Sequence, residues 1–326
     1  MLDEVGQWLR SRSWNAADRP LDLLLAAKRR SATTVSVVLP ALDEEATVGE
    51  IVSVIRRELA AGAAPLVDEL VVVDSGSTDR TAEVAAAAGA KVVHRDELLP
   101  RLPALPGKGE VLWRSLLATS GDIVCFVDAD LRDFSADFVS GIVGPLLTEP
   151  RLQFVKAMYD RPLWDSPAGG GRVTELVARP LLNLHWPLLA GMVQPLGGEY
   201  AVRRELLERL PFPVGYGVEL ALLIDALDLV GLDALAQVDV GVRRHRHQDG
   251  QALGRMATAI YATAQRRLPG TAPGGPATAP AAAGGLPLTQ FERDQAGAFV
   301  PRDHLLRTEE RPPMCTVPEY RPGWAA

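Results

Sequence analysis

Between Val35 and Val127 the chain repeats one unit, a short apolar run followed by a helix-length segment. The runs are Val35–Leu39, Glu69–Val73, Lys91–Val93 and Ile123–Val127, and the segments between them are Thr47–Leu59, Thr78–Ala88 and Gly109–Ala118. Strands alternating with helices of this length predict right-handed βαβ units and an α/β fold on a mostly parallel sheet. Ligands of such sheets bind beyond the carboxyl ends of the strands. Three of those ends carry polar or glycine-rich sequence and are expected to share one crevice: Pro40-Ala41-Leu42-Asp43-Glu44, Asp74-Ser75-Gly76-Ser77-Thr78 and Asp128-Ala129-Asp130.

The last end is the most informative. Asp122-Ile-Val-Cys-Phe-Val-Asp128-Ala-Asp130 fits a strand buried on both faces that delivers two carboxylates one residue apart. Carboxylate oxygens suit Mg2+ or Mn2+, which are commonly held by one or two side chains while substrate phosphates complete the shell. An acidic pair alone is as readily a turn, so its weight comes from its neighbours.

Glu44, beyond the first strand, is placed to accept from a ribose. Asp74 and Ser75 could meet a base or ribose, while Gly76 turns the chain and Ser77 or Thr78 caps the next helix. Lys108, between two glycines at a helix start, reads equally as a phosphate contact or a solvated lysine. In Gly169-Gly170-Gly171-Arg172-Val173-Thr174, freed backbone amides lie beside a guanidinium and a hydroxyl, a candidate cradle for phosphate or carboxylate. The strand-like Ala236–Val242 ends in Arg243-Arg244-His245-Arg246-His247. A basic run is usually a solvated face, yet here it suits anion or metal work, and His245 joining Asp130 would give a mixed nitrogen and oxygen site.

These local groups matter because the chain as a whole is acidic. Its net charge of −7 gives no overall attraction for nucleic acid. With 326 residues, 47% of them hydrophobic, it can bury one large core or two ordinary ones. Two cysteines make no disulfide framework, and Cys125 reads as a small core residue. Asp3 and Glu4 ahead of Trp8 argue against a signal peptide, and no apolar run reaches about 18 residues. The expected setting is cytoplasmic, with no membrane span.

Residues 1–30 read as a helical leader. After Asp130 the order becomes mixed, with a strand at Gln153–Met158, a helix through Leu189, a strand-and-helix region from Gly197 to His247 and a helix at Gln251–Leu268. Residues 269–287 form a linker rich in Pro, Gly and Ala, and 288–326 a polar, Pro-rich tail expected to pack on a partner subunit.

The segments Leu39-Pro-Ala-Leu-Asp-Glu-Glu45, Val72-Val-Asp-Ser-Gly-Ser-Thr-Asp79 and Asp128-Ala-Asp130 resemble those of the GT-A glycosyltransferases. Four further segments are similar to those of the actinobacterial glucosyl-3-phosphoglycerate synthases: Pro106-Gly-Lys-Gly-Glu-Val-Leu-Trp-Arg-Ser115, Gly169 to Pro180, Gln194-Pro-Leu-Gly-Gly-Glu-Tyr200 and Gly215-Tyr-Gly-Val-Glu219. The likeness runs from Leu21 to Leu268. It implies a GT-A fold, Rossmann-like, whose nucleotide-sugar half spans 31–150 and whose acceptor half spans 151–268. It further implies a homodimer that transfers glucose, with retention, from UDP-glucose to the 2-hydroxyl of D-3-phosphoglycerate with Mg2+ or Mn2+.

By position the resemblance assigns uridine diphosphate to Pro40, Ala41, Leu42, Asp43, Glu44, Ser75, Lys108, Asp128 and Ala129, and the metal to Asp130 and His245. It assigns glucose to Tyr216, Gly217, Val218 and Glu219. The 3-phosphoglycerate falls to Gly171, Arg172, Val173 and Thr174, with Arg243 between donor phosphates and acceptor. Glu219 is the one candidate nucleophile; alternatively it grips sugar hydroxyls while the Leu196 carbonyl assists a front-face attack. Three departures stand out: Asp43 and His247 occupy positions usually held by Asn, and the segment before Gly169 is short. His247 would meet the acceptor.

Other readings are a polyprenyl-phosphate transferase, a donor of another sugar such as GDP-mannose, and a nucleotide-sugar-binding module without turnover. The first relies on membrane attachment, and the last needs no second anion site, against which the arginines after Val242 speak. A nucleotidyltransferase would want a basic glycine-rich loop after the first strand, where this chain has acidic residues.

Overall fold

The computed structural model describes residues 1–62, 64–163, 166–244, 249–268 and 285–320. The chain begins with α1 (Asp3–Arg12), β1 (Ser13–Asn15) and α2 (Leu21–Ser31). The alternating region follows as β2 (Val35–Ala41), α3 (Val48–Glu58), β3 (Glu69–Asp74), α4 (Thr81–Ala87), β4 (Lys91–His94), α5 (Lys108–Ser115), β5 (Ile123–Phe126), α6 (Asp137–Thr148) and β6 (Phe154–Asp160). Next come the small hairpin β7 (Pro162–Leu163) and β8 (Ser166–Gly169), a single π turn at Thr174–Ala178, and α7 (Arg179–His185). The chain continues through β9 (Tyr200–Arg203), α8 (Arg204–Leu207), β10 (Phe212–Pro213), α9 (Val218–Val230), β11 (Leu235–Val242) and α10 (Gly250–Gln265). It ends with β12 (Leu286–Arg293), β13 (Phe299–Leu306) and β14 (Glu310–Arg311).

Eight strands form one sheet in the order β1-β11-β6-β9-β5-β2-β3-β4. All of its pairings are parallel except the two made by β9, which runs against β5 and β6. This is the expected α/β fold with a mostly parallel sheet. Because side chains alternate across a strand, each strand feeds two cores. Val38, Val71, Val124 and Phe126 enter one, and Val37, Val72, Ile123 and Cys125 enter the other. Helix α3 presents Val48, Ile51, Val52 and Ile55 to the second core at helical spacing. Cys125 is fully buried there, as expected for a small core residue.

Two expectations are corrected. The leader is more than helical, since Ser13–Asn15 pairs in parallel with Gln237–Asp239 as an edge strand, and Trp8 Nε1 donates to Leu235 O at 2.8 Å. The segment read as linker end and tail is ordered structure over 286–320. β12 and β13 pair from Leu286↔Leu306 to Arg293↔Phe299 and rest on α10, where Arg255 Nη1 donates to Gln290 Oε1 at 3.0 Å. β14 pairs with β10, and Trp113 Nε1 donates to Pro312 O at 2.8 Å, so this stretch is fastened to the chain's own body. Among the described residues no helix is long and apolar enough to cross a membrane.

Candidate functional site

The parallel strands β2, β3, β5, β6 and β11 all end at one edge of the sheet. β9 runs the other way, so its amino end, with Gly198 and Glu199 just before it, arrives at that same edge. The strand ends thereby bring Asp128, Asp130, Arg161, Glu199 and Arg243 together. Lys108 opens α5 and Glu219 lies in the first turn of α9.

Asp128 is held between two cations. Lys108 Nζ lies 2.5 Å from its Oδ1, and Arg243 Nη2 lies 2.6 Å from its Oδ2. The same Lys108 ammonium is 2.8 Å from Glu219 Oε1. Arg243 also donates from Nε to Glu199 Oε1 at 2.8 Å and approaches Asp130 Oδ1 at 3.4 Å. Glu199 in turn accepts from Tyr159 OH at 2.9 Å. Glu199, Glu219 and Arg243 are buried, and Asp128 and Asp130 are partly open to the crevice. Such pairs are low in net stabilisation but fix geometry, because each buried charge needs its partners. Gly198 is the close approach that permits this arrangement, for a Cβ there would stand 2.3 Å from Asp128 Oδ2 and 2.4 Å from Lys108 Nζ.

The electrostatics follow from the contacts. Burial opposes ionisation of Asp128, but Lys108 and Arg243 hold its carboxyl well below the ordinary range. Burial also opposes the charge on Lys108, yet Asp128 and Glu219 keep the ammonium well above its ordinary value. Asp130 goes the other way: burial raises its carboxyl, Arg243 resists, and the charge of Asp128 adds to the rise.

On the proposed nucleotide side, the ends of β2 and β3 are knitted together. Ser75 N and Oγ both donate to Ala41 O, at 3.0 and 2.8 Å, so the Ser75 hydroxyl is turned onto the chain. Asp74 accepts from Ser77 Oγ at 2.5 Å, which fixes the turn at Gly76. Asp79 accepts from Thr81 N at 2.9 Å at the start of α4, a role the sequence suggested for Ser77 or Thr78. Asp43 adopts a left-handed φ of 56° and accepts from Thr78 N at 2.7 Å. Asp and Asn share both abilities, so Asp43 can fill the place that the resemblance expects Asn to take. Pro40 and Ala41 close β2, Glu44 N donates to Thr81 Oγ1 at 2.8 Å, and Leu42 is exposed. Ala129 is buried, and its carbonyl accepts from Thr47 Oγ1 at 2.6 Å.

On the other side, Tyr216 is exposed, while Gly217 sits so close to Thr263 that a Cβ would stand 2.0 Å from its Oγ1. Val218 is buried, and Leu196 packs partly buried against the first core. Gly171 has a left-handed φ of 74° and its carbonyl accepts from Glu175 N at 3.0 Å, opening the π turn in which Thr174 is buried. Val173 is buried and Arg172 exposed. Gly170 and Gly171 lie against Arg161, whose guanidinium stands 5.8 Å from the Tyr159 ring centre, as does that of Arg243. The glycine-rich loop is therefore linked to the Asp128 cluster through Arg161. Arg161 and Glu199 were not singled out from sequence. The strand-end rule could have found Arg161, directly after β6, whereas nothing local signals the reversed direction of β9.

Arg243 Nη1 is buried with no hydrogen-bond partner among the described residues, a donor suited to a phosphate oxygen. Among the described residues Asp130 receives one long contact, from Arg243, and keeps acceptor capacity toward the crevice. Among the described residues no group of three or more His, Cys, Asp or Glu could hold a metal ion. A cation here would lean on few protein ligands and on ligand phosphates, the pattern of Mg2+. His245 and His247 lie outside the described residues.

Residues 36–161 match the glycosyl transferase family 2. The chain is 50% identical over 315 residues to the glucosyl-3-phosphoglycerate synthase of Mycolicibacterium smegmatis, covering 95% of this chain and 98% of that protein. It is also similar to the crystal structure of glucosyl-3-phosphoglycerate synthase from Mycobacterium tuberculosis in complex with Mn2+, UDP-glucose and phosphoglyceric acid. There the TM-score is 0.79 and the identity 48%, over 91% of this chain and 94% of that one. A mannosyl-3-phosphoglycerate synthase from Rubrobacter xylanophilus superimposes with a TM-score of 0.86 at 41% identity, covering 96% and 99%.

Proposed function

The chain belongs to the glucosyl-3-phosphoglycerate synthases, and from that premise we propose that it transfers glucose from UDP-glucose to the 2-hydroxyl of D-3-phosphoglycerate in the presence of Mg2+ or Mn2+. The observation that carries this reading is the meeting of Lys108 and Arg243 on Asp128, with Arg243 Nη1 left without a partner among the described residues. Two fixed cations face the crevice where the leaving diphosphate would gather charge. Preorganised charges of this kind act on the transition state without having to reorient.

In this reading Pro40 to Glu44 and Ser75 receive the uridine, and Lys108 and Asp128 with Ala129 border the diphosphate. Arg243 lies between the diphosphate and the acceptor. A divalent cation, when bound through Asp130 and His245, supplies neutralisation of the departing diphosphate. Gly171 to Thr174 hold the phosphoglycerate with His247, and Tyr216 to Glu219 border the glucose. As the bond between the anomeric carbon and the phosphate oxygen breaks, its electron pair goes to that oxygen. The acceptor 2-hydroxyl oxygen bonds the same carbon and its proton passes to the departing phosphate, with the Leu196 carbonyl alongside. Retention by this front-face route is supported by the 2.8 Å ion pair that engages Glu219 with Lys108 rather than leaving it free as a nucleophile. A homodimer is supported by the exposed Phe291 and Phe299 of the β12–β13 hairpin, and a reducing, cytoplasmic setting by two free cysteines.

The test is product formation from UDP-glucose and D-3-phosphoglycerate with and without Mg2+, read by mass spectrometry, with D-glycerate and GDP-mannose run in parallel. The mannosyl relative makes GDP-mannose the rival donor. A metal-dependent glucosyl-phosphoglycerate is expected. Faster turnover of GDP-mannose would overturn the donor, and turnover of D-glycerate at the same rate would overturn the acceptor site.

A further inference from the structure

Two adjacent residues near the end of the chain reach both helices that begin at the site. β14 lies antiparallel to β10, with Arg311 opposite Phe212 and Glu310 opposite Pro213, and Val214 N donates to Glu309 O at 3.0 Å. Neighbouring residues in a strand face opposite ways. Arg311 reaches α5, where its Nε donates to Glu110 Oε2 at 2.6 Å and its Nη2 to Glu110 Oε1 at 2.9 Å. Glu110 is fully buried and lies two residues after Lys108. Glu310 reaches α9 through Arg267, which is 2.7 Å from Glu310 Oε1 and donates to both oxygens of Asp225 at 2.8 and 2.7 Å. Asp225 lies six residues after Glu219 in the same helix.

The joint between the helices is tight. Lys108 stands between Gly107 and Gly109, and a Cβ at those glycines would come within 2.2 Å of Val214 O and 1.8 Å of Pro213 O. The first turn of α5 is therefore seated on the same short strand that β14 pairs with. The rest of the terminal segment is anchored elsewhere, by Cys315 N on Glu208 O at 3.1 Å and by Tyr320 OH with Arg204 Nη1 at 3.0 Å. Fastening the segment does not require a bidentate ion pair with a fully buried carboxylate. What that pair fixes is the direction of Glu110 and so of the turn that carries Lys108.

We propose that Arg311 is a positioning residue for the transfer reaction: by gripping Glu110 it sets the first turn of α5 and holds the Lys108 ammonium between Asp128 and Glu219. The proposal rests on Lys108 meeting the donor diphosphate. Glu110 also pairs with Arg114 Nε at 2.6 Å, so loss of Arg311 leaves no uncompensated buried charge and the fold is retained.

The test measures initial rates of the full chain against UDP-glucose and 3-phosphoglycerate for Arg311→Gln and Arg311→Lys, each in the natural sequence and in a Lys108→Met background. Displacement of a catalytic group by about 1 Å can cost about a hundredfold, so Arg311→Gln is expected to lower kcat/KM for UDP-glucose by about tenfold. The KM for 3-phosphoglycerate should hold, and Arg311→Lys should recover part of the loss. If the effect runs through Lys108, Arg311→Gln costs less than about twofold in the Lys108→Met background, because coupled residues are not additive. The same loss in both backgrounds, or a lower Tm with unchanged rates, overturns the proposal. Should Arg311→Gln fail to fold, Arg311→Lys carries the same comparison in both backgrounds, with a smaller loss expected. If Lys108→Met leaves kcat/KM for UDP-glucose unchanged, the donor reading of Lys108 is wrong and the proposal falls with it. A Lys108→Met defect without an Arg311 defect condemns the proposal alone.

Discussion

Glu199 Oε1 accepts from Arg243 Nε at 2.8 Å, and both side chains are buried. This contact orients the guanidinium so that Nη2 meets Asp128 and Nη1 stays without a partner among the described residues. Glu199→Gln keeps the volume and removes the charge. Arg243 still has Asp128, so the stability loss should be about 1–3 kcal/mol rather than that of a stranded ion. The guanidinium loses its fixed direction, and kcat/KM for UDP-glucose should fall by about 10- to 100-fold. Steady-state rates beside a urea melt check both, and unchanged rates would show that Arg243 does not depend on Glu199.

Gly198 leaves room for the Lys108–Asp128 pair. The atoms a Cβ would strike are side-chain tips, which can swing away, so Gly198→Ala should unfold within about 1 kcal/mol of the natural chain. The swing separates Lys108 from Asp128, and transfer should fall by about a hundredfold. Circular dichroism and product assays decide this. Full activity would mean the 2.5 Å contact is not needed for turnover.

Much of this arrangement could be read in the sequence, and the exceptions have physical reasons. The buried strands β2, β3 and β5 are apolar runs, and α3 was expected over Thr47–Leu59 and is found over Val48–Glu58. The strand-end rule then put Asp128 and Asp130 beside the ends of the first two strands, and Arg243 was added to them by the resemblance. The antiparallel course of β9 was not legible, because four residues carry no sign of direction, and so Glu199 escaped notice. β1 was missed because Ser13-Trp14-Asn15 is short and gains its pairing from an open edge of the sheet. In β12 Leu286 and Leu288 keep the ordinary alternation, but Phe291 faces outward while Gln290 and Glu292 are half-buried, which breaks the pattern that marks a strand.

Lys156 is buried beside the site, with Nζ 2.7 Å from Gly197 O and 4.8 Å from the Tyr200 ring centre. Burial brings its pKa down from 10.5 to about 8, against the pull of Glu219 and Glu199. The folded state therefore loses this proton near pH 8 and the unfolded chain near 10.5. Between those values the unfolded chain binds more protons, so stability rises with pH, and below pH 8 the folded state bears the full cost of the charge. Tyr159 and Tyr200, both raised chiefly by burial, reverse the trend once unfolded tyrosines ionise near pH 10. Urea melts from pH 7 to 10 should show the rise, and Lys156→Met should abolish it. A rise that survives the substitution would assign it to another group.

Glu219 presents two chemically distinct possibilities. As a nucleophile it would attack the anomeric carbon and hold the sugar covalently; as a positioning carboxylate it would hold Lys108 and touch sugar hydroxyls. Its Oε1 lies 2.8 Å from Lys108 Nζ and the Glu219 side chain is buried, so attack would first have to break this ion pair. Removal of a true nucleophile can cost about a millionfold in kcat. Glu219→Gln retains a hydrogen-bonding carbonyl toward Lys108, and its kcat is expected to fall by no more than about a hundredfold. Intact-mass spectra of the natural chain with UDP-glucose alone should show no added hexose, and the product of Glu219→Gln should keep its anomeric configuration by proton NMR. Near-complete loss of turnover together with a trapped hexosyl-protein on the natural chain would assign Glu219 the nucleophilic role and discard the front-face route.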